Sequence, residues 1–71
     1  MKAMPKINDL LRQGCSLLQN ISDSPELDSQ IILSHVLKTS RFDLLAGMFN
    51  EVDDVSLRKF NELIERRINF E

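Results

Sequence analysis

The chain has no tryptophan and no tyrosine, and among its 71 residues it holds one cysteine, one histidine, two glycines and two prolines. Each shortage excludes something. A lone Cys15 permits neither an internal disulfide nor a cysteine-cluster zinc site. A lone His35 has no second imidazole beside it, and no Cys–His or carboxylate spacing points to it as a metal ligand or general base; a structural histidine is expected. Two glycines cannot build a phosphate-cradling loop and also serve the turns of a sheet. Charge of either sign is not in excess: the formal net charge is −2, which gives no electrostatic reason to expect nucleic acid as a partner. The longest aliphatic run, Ile31-Ile32-Leu33, is far short of the roughly 20 residues of a membrane span. Asn8, Asp9, Arg12 and Gln13 interrupt any run that could act as a signal-peptide core after Lys2 and Lys6. A cytosolic protein is expected.

What is present is helical. The hydrophobic fraction is 42% and the charged fraction 28%, as in an ordinary soluble domain, and no stretch alternates with period two. At this length a single core supplies only roughly 3–5 kcal/mol of net stability. Ile7, Leu10, Leu11, Leu18 and Ile21, with Cys15 beside them, recur at helical spacing and predict a helix over 7–21. Gly14 weakens its middle unless a neighbouring helix needs the space. Ser24-Pro25, followed by Glu26 and Asp28, reads as cap, first helical position and favourable first-turn charge for a second helix reaching about Leu37. Its broad apolar set (Leu27, Ile31, Ile32, Leu33, Val36, Leu37) predicts the central helix.

Ser40 with Asp43 resembles a capping box and opens a short third helix that ends at Gly47. Residues 48–53 form a link anchored by Met48 and Phe49, with room for a turn of their own. The last helix starts at Asp53 or Asp54 and shows Leu57, Phe60, Leu63, Ile64 and Ile68 on one face. Glu62 and Arg66 form an i,i+4 pair on the other. The fold class is therefore all-α, a compact small bundle of four to five helices. Phe42, Phe49 and Phe60 read as core or rim packing, whereas Phe70 follows the last firm helical position and should lack a neighbour.

No catalytic, cofactor-binding or metal-binding set emerges. Asp28-Ser29 sits where an acyl-carrier-like protein would bear its prosthetic group, but the motif reads Asp-Ser-Gln and falls early in a capped helix. The Ser40 restart has a helix-turn-helix look, yet "RFDLLAG" is too apolar to read DNA. The exposed cations Lys38, Arg41, Arg66 and Arg67 are candidate partner contacts, against the plain alternative of solvated helix ends.

Three segments together resemble one family. "LDSQIILSHVLKTSRFDLL" (27–45), "INDLLRQGCSLLQN" (7–20) and "FNELIERRINFE" (60–71) are similar to the N-terminal domain of HemK-type peptide chain release factor glutamine methyltransferases. His35-Val36, Ser40-Arg41 and Arg66-Arg67 are its distinctive marks. The resemblance implies a second, Rossmann-like domain after residue 71 that binds S-adenosylmethionine at a Gly-rich turn and holds the acceptor amide with Asn-Pro-Pro-Tyr. It also implies that the acceptor is the glutamine of the Gly-Gly-Gln loop of a release factor. None of those motifs occurs here, so residues 1–71 would form one non-catalytic domain that helps to recognise and orient the release factor. A free-standing helical interaction module is the alternative.

Overall fold

In the computed structural model, which describes residues 4–70, four helices follow one another: α1 (Ile7–Leu18), α2 (Pro25–Leu37), α3 (Arg41–Ala46) and α4 (Asp54–Phe70). The side chain of Phe70 and all of Glu71, where the sequence suggested a missing neighbour, lie outside the described residues. α2 packs against each of the other three helices, and α1 also packs on α4. Between them they bury Ile7, Leu10, Leu11, Leu18, Leu33, Leu44, Val52, Phe60 and Ile64. Ile32, Val36, Leu37, Met48 and Leu57 pack around that set.

α2 is central, as its composition suggested, but not because all its apolar residues are covered. Only Leu33 and Ser29 are buried on it, while Leu27 and Ile31 are exposed at 38% and 48%. Three neighbours cannot surround a 13-residue helix, so one apolar stripe of α2 faces water. α1 is shorter than its apolar periodicity implied. It closes at Leu18, and Ile21 and Ser22 turn back by donating their amides to the Leu18 carbonyl. Ile21 is consequently exposed.

The helix starts follow local chemistry, with one departure from expectation. The Ser40 hydroxyl accepts from the Asp43 amide at 3.1 Å and caps α3. Ser24 occupies the cap position of α2, but its side chain makes no capping bond. Its own amide instead donates to the Ser22 hydroxyl at 3.1 Å. At α1, the Lys6 amide donates to Asp9 at 3.0 Å, which is the backward half of a capping box.

The link 48–53 forms no fifth helix. It runs antiparallel to the segment before α1, with a single bridge between Lys6 and Glu51. The amides of Ile7 and Asn8 donate to the carbonyls of Asn50 and Met48, each at 2.9 Å, and the Val52 amide donates to the Pro5 carbonyl at 2.8 Å. The unpaired first-turn amides of α1 thus find their acceptors in a distant segment, which no local periodicity could reveal.

α2 ends on Lys38 with φ 56 and ψ 47, a left-handed conformation in the position usually given to glycine. The Thr39 amide donates to Ser34 O at 3.0 Å and the Lys38 amide to His35 O at 3.2 Å, the paired bonds of a Schellman ending. A non-glycine residue there is strained by about 1–2 kcal/mol. Lys38→Gly relieves that strain but adds chain entropy to the unfolded state. A net gain of about 0.5–1 kcal/mol is expected in urea unfolding. A loss of stability would show that the Lys38 side chain contributes packing.

α4 is capped by Asp53, whose carboxylate accepts from the Ser56 amide at 3.3 Å. Hydrogen bonding by Ser56, its hydroxyl first and its amide with it, holds the Asp53 carboxyl below its ordinary pKa. Because the folded-state pKa is depressed, the stabilisation is present above the unfolded value near 4 and is lost as the pH falls through the folded one. Replacing Asp53 with alanine should lower the melting temperature at neutral pH and leave it nearly unchanged in acid. An equal deficit at both pH values would contradict this reading of the cap.

Candidate functional site

The residues singled out from the sequence do not converge. Lys38 lies at the C-terminal end of α2 and is exposed. Arg41, at the start of α3, reaches back across the bundle and donates from Nε and Nη2 to Gln30 Oε1, at 3.3 and 3.2 Å. Arg66 is exposed. Arg67 turns inward from the last turns of α4 and donates from Nη2 to Asp28 Oδ2 at 3.1 Å. The Ser22 hydroxyl donates to the same oxygen. This junction ties the end of α4 to the start of α2. With Arg67 41% exposed, the ion pair contributes less than about 1 kcal/mol. The expected Glu62–Arg66 pair does not close within salt-bridge distance; the one formed among the described residues is Arg67–Asp28.

The alternative chemistries fare worse. Ser29 is 1% exposed and its hydroxyl donates to the Glu26 carbonyl at 3.0 Å. A serine that bears a prosthetic arm must be reached by a modifying enzyme, so the carrier-like reading is overturned by burial. His35 is exposed in a groove between α2 and α4, beside Ile31, Ser34, Lys59, Glu62 and Leu63. Among the described residues no group of histidine, cysteine or acidic side chains could hold a metal ion. No helix among them is long and apolar enough to cross a membrane. S-adenosylmethionine, which the resemblance implies for a longer protein, does not fit these residues. The space beside Gly14 is filled by Phe60 and Ser29, and that beside Gly47 by Asn50. Neither glycine presents backbone amides to a cofactor.

What the surface does offer is apolar. Phe42 and Phe49 are 80% and 77% exposed, and Val55, Leu17, Ile31 and Leu45 are substantially so. The expectation of core or rim packing for the phenylalanines holds only for Phe60, at 1% exposure. Ile68, assigned to the core by periodicity, is 37% exposed. α3 spans only six residues; its Leu44 and, just past its end, Met48 pack into the bundle. Phe42 lies on the other side of the helix.

The family comparison gives this all-helical domain a place. Residues 9–71 match the PrmC N-terminal domain family. The chain belongs to that family. Three similar proteins carry the name release factor glutamine methyltransferase. That of Aliivibrio fischeri is 43% identical over 63 residues, covering 87% of this chain and 22% of that protein. That of Buchnera aphidicola is 36% identical over 66 residues, or 93% of this chain and 24% of the relative. That of Clostridium acetobutylicum is 36% identical over 63 residues, with shares of 87% and 22%. The chain thus spans between 22% and 24% of the length of these relatives. No solved structure matches it.

Proposed function

We propose that this PrmC N-terminal domain is the substrate-recognition domain of a cytoplasmic methyltransferase that modifies a peptide chain release factor. In this reading a separate domain supplies S-adenosylmethionine and the chemistry at the glutamine of a Gly-Gly-Gln loop. The observation that carries the proposal is the family membership over residues 9–71, combined with a described surface that has exposed phenylalanines.

The division of labour has a physical basis. An amide nitrogen is a poor nucleophile, so its alkylation gains chiefly from being held in line with the methyl donor. Binding energy from a surface remote from the reacting atoms can be used for that positioning. A protein substrate is large enough to touch both domains, and a rigid bundle tied at both ends suits the purpose. Lys38, Arg41, Arg66 and Arg67 are distributed over α2, α3 and α4 rather than gathered, so they act as separate rim contacts. Arg67 must first leave Asp28 to take part.

Calorimetry on the 71-residue chain tests the assignment. A recombinant peptide chain release factor should give saturable heat, while S-adenosylmethionine should give none. Saturable binding of S-adenosylmethionine, or no interaction with the release factor up to roughly millimolar concentration, would overturn the assignment.

A further inference from the structure

We infer that the outward face of α3, together with the link that follows it, is a docking surface for an apolar segment of a protein partner flanked by lysine or arginine. The inference rests on the proposed recognition role and says which surface performs it.

Three observations converge on this stretch. α3 and the turn after it have two apolar sides: Leu44 and Met48, four apart, pack into the bundle, while Phe42, Leu45 and Phe49, at spacings of three and four, remain 80%, 39% and 77% exposed. Together those three leave roughly 300–400 Å² of apolar surface in water, the size of a functional patch on a small protein. Along the stretch itself the charge has one sign, with Arg41 and the bridged Lys6 at its edges. Residues 42–55 contain Asp43, Glu51, Asp53 and Asp54 and no lysine, arginine or histidine, and all four acids are exposed. Four of the eleven acidic residues of a chain with net charge −2 thus lie in the same stretch as Phe42 and Phe49, the two most exposed aromatic rings among the described residues. An apolar centre with an acidic rim selects a partner with an apolar anchor and a basic rim.

Other occupants fit less well. A second copy would bring the same four acids against one another, and the patch is about half of the ~800 Å² per partner that a stable dimer buries. A further domain of the same polypeptide is the remaining rival: the charge of the rim is the ground for a basic partner bound in trans, and release-factor binding that the phenylalanine substitutions leave intact would assign the patch to that domain instead.

The test uses the isotope-labelled 71-residue chain, titrated with a recombinant release factor and followed by amide chemical shifts. The largest shifts are expected at residues 42–55. Phe42→Ser with Phe49→Ser should weaken binding by about tenfold or more without lowering the melting temperature, because both rings already face water. Glu51→Lys with Asp54→Lys should weaken binding and flatten its salt dependence. If the release factor binds but shifts only α4 or other helices, and the phenylalanine variant binds normally, this surface is wrong while the recognition role stands. Absence of any binding overturns the role and the surface together. Self-association of the unmodified chain that the phenylalanine substitutions abolish would assign the patch to a second copy and overturn the partner proposed here.

Discussion

Phe60→Ala is expected to leave the chain largely unfolded in buffer at room temperature. Phe60 sits on α4 at 1% exposure, among the most completely buried side chains. Its ring reaches the cleft between α1 and α2, where Cζ lies within van der Waals reach of the space beside Gly14. Truncating a buried phenylalanine costs about 3–5 kcal/mol in lost transfer energy and cavity formation. A domain of this size holds only roughly that much net stability. The effect thus removes the folded state rather than shifting it, and far-UV circular dichroism should show most of the helical signal gone. A cooperative transition displaced by less than about 1 kcal/mol would show that the bundle repacks around the gap.

The second large effect has a sign that local propensity predicts wrongly. Alanine is the better helix former than glycine by about 1 kcal/mol, and Gly14 lies in the middle of α1, so Gly14→Ala looks stabilising. A Cβ there, however, would stand 2.9 Å from both Phe60 Cζ and Ser29 Cβ, and 3.4 Å from Ile64 Cδ1. Phe60 and Ile64 are themselves fully buried, and the Ser29 Cβ moves only with the backbone of α2. Overpacking costs about 1–3 kcal/mol, and with two close contacts the upper part of that range applies. We expect a net loss of about 1–2 kcal/mol, or about 4–8 °C in melting temperature per kcal/mol. Gly14→Val should cost more. Gly14→Ala with Phe60→Leu should recover part of the strain relative to the sum of the single changes. A higher melting temperature for Gly14→Ala alone would mean that the α1–α2–α4 contact is looser than described.

These two residues also show how far the sequence could be read. Helix starts and stops were legible at Ser24-Pro25, Ser40 and Gly47 because capping and backbone chemistry are local. The usefulness of Gly14 was readable as a question and was answered only by Phe60, 46 positions away. Misreadings arose where tertiary contacts decide. Leu27, Ile31, Ile68, Phe42 and Phe49 have the composition of core residues, but a four-helix domain this small has too few neighbours to cover them. The left-handed Lys38 could not be seen in advance, since glycine is the residue that signals that conformation. Of the candidate contacts, Arg67 reads in the sequence as a free cation because its partner Asp28 is distant along the chain. The acidic, aromatic stretch 42–55 does not stand out as a surface in the sequence, because its phenylalanines read equally well as packing residues. Family membership was readable from three helical segments; the surface that would serve it needed the fold.

The central claim is that this domain positions a protein substrate and takes no part in the chemistry. It is tested most directly by steady-state methylation kinetics of a full-length relative such as the Aliivibrio fischeri protein, in three forms: unchanged, with its matching N-terminal segment removed, and with residues 1–70 of this chain in that place. The prediction is that removal raises KM for an intact release factor by at least about tenfold, leaves kcat/KM for a short Gly-Gly-Gln peptide unchanged, and is largely reversed by the transplanted domain. Equal KM for the intact release factor with and without the domain would contradict the account.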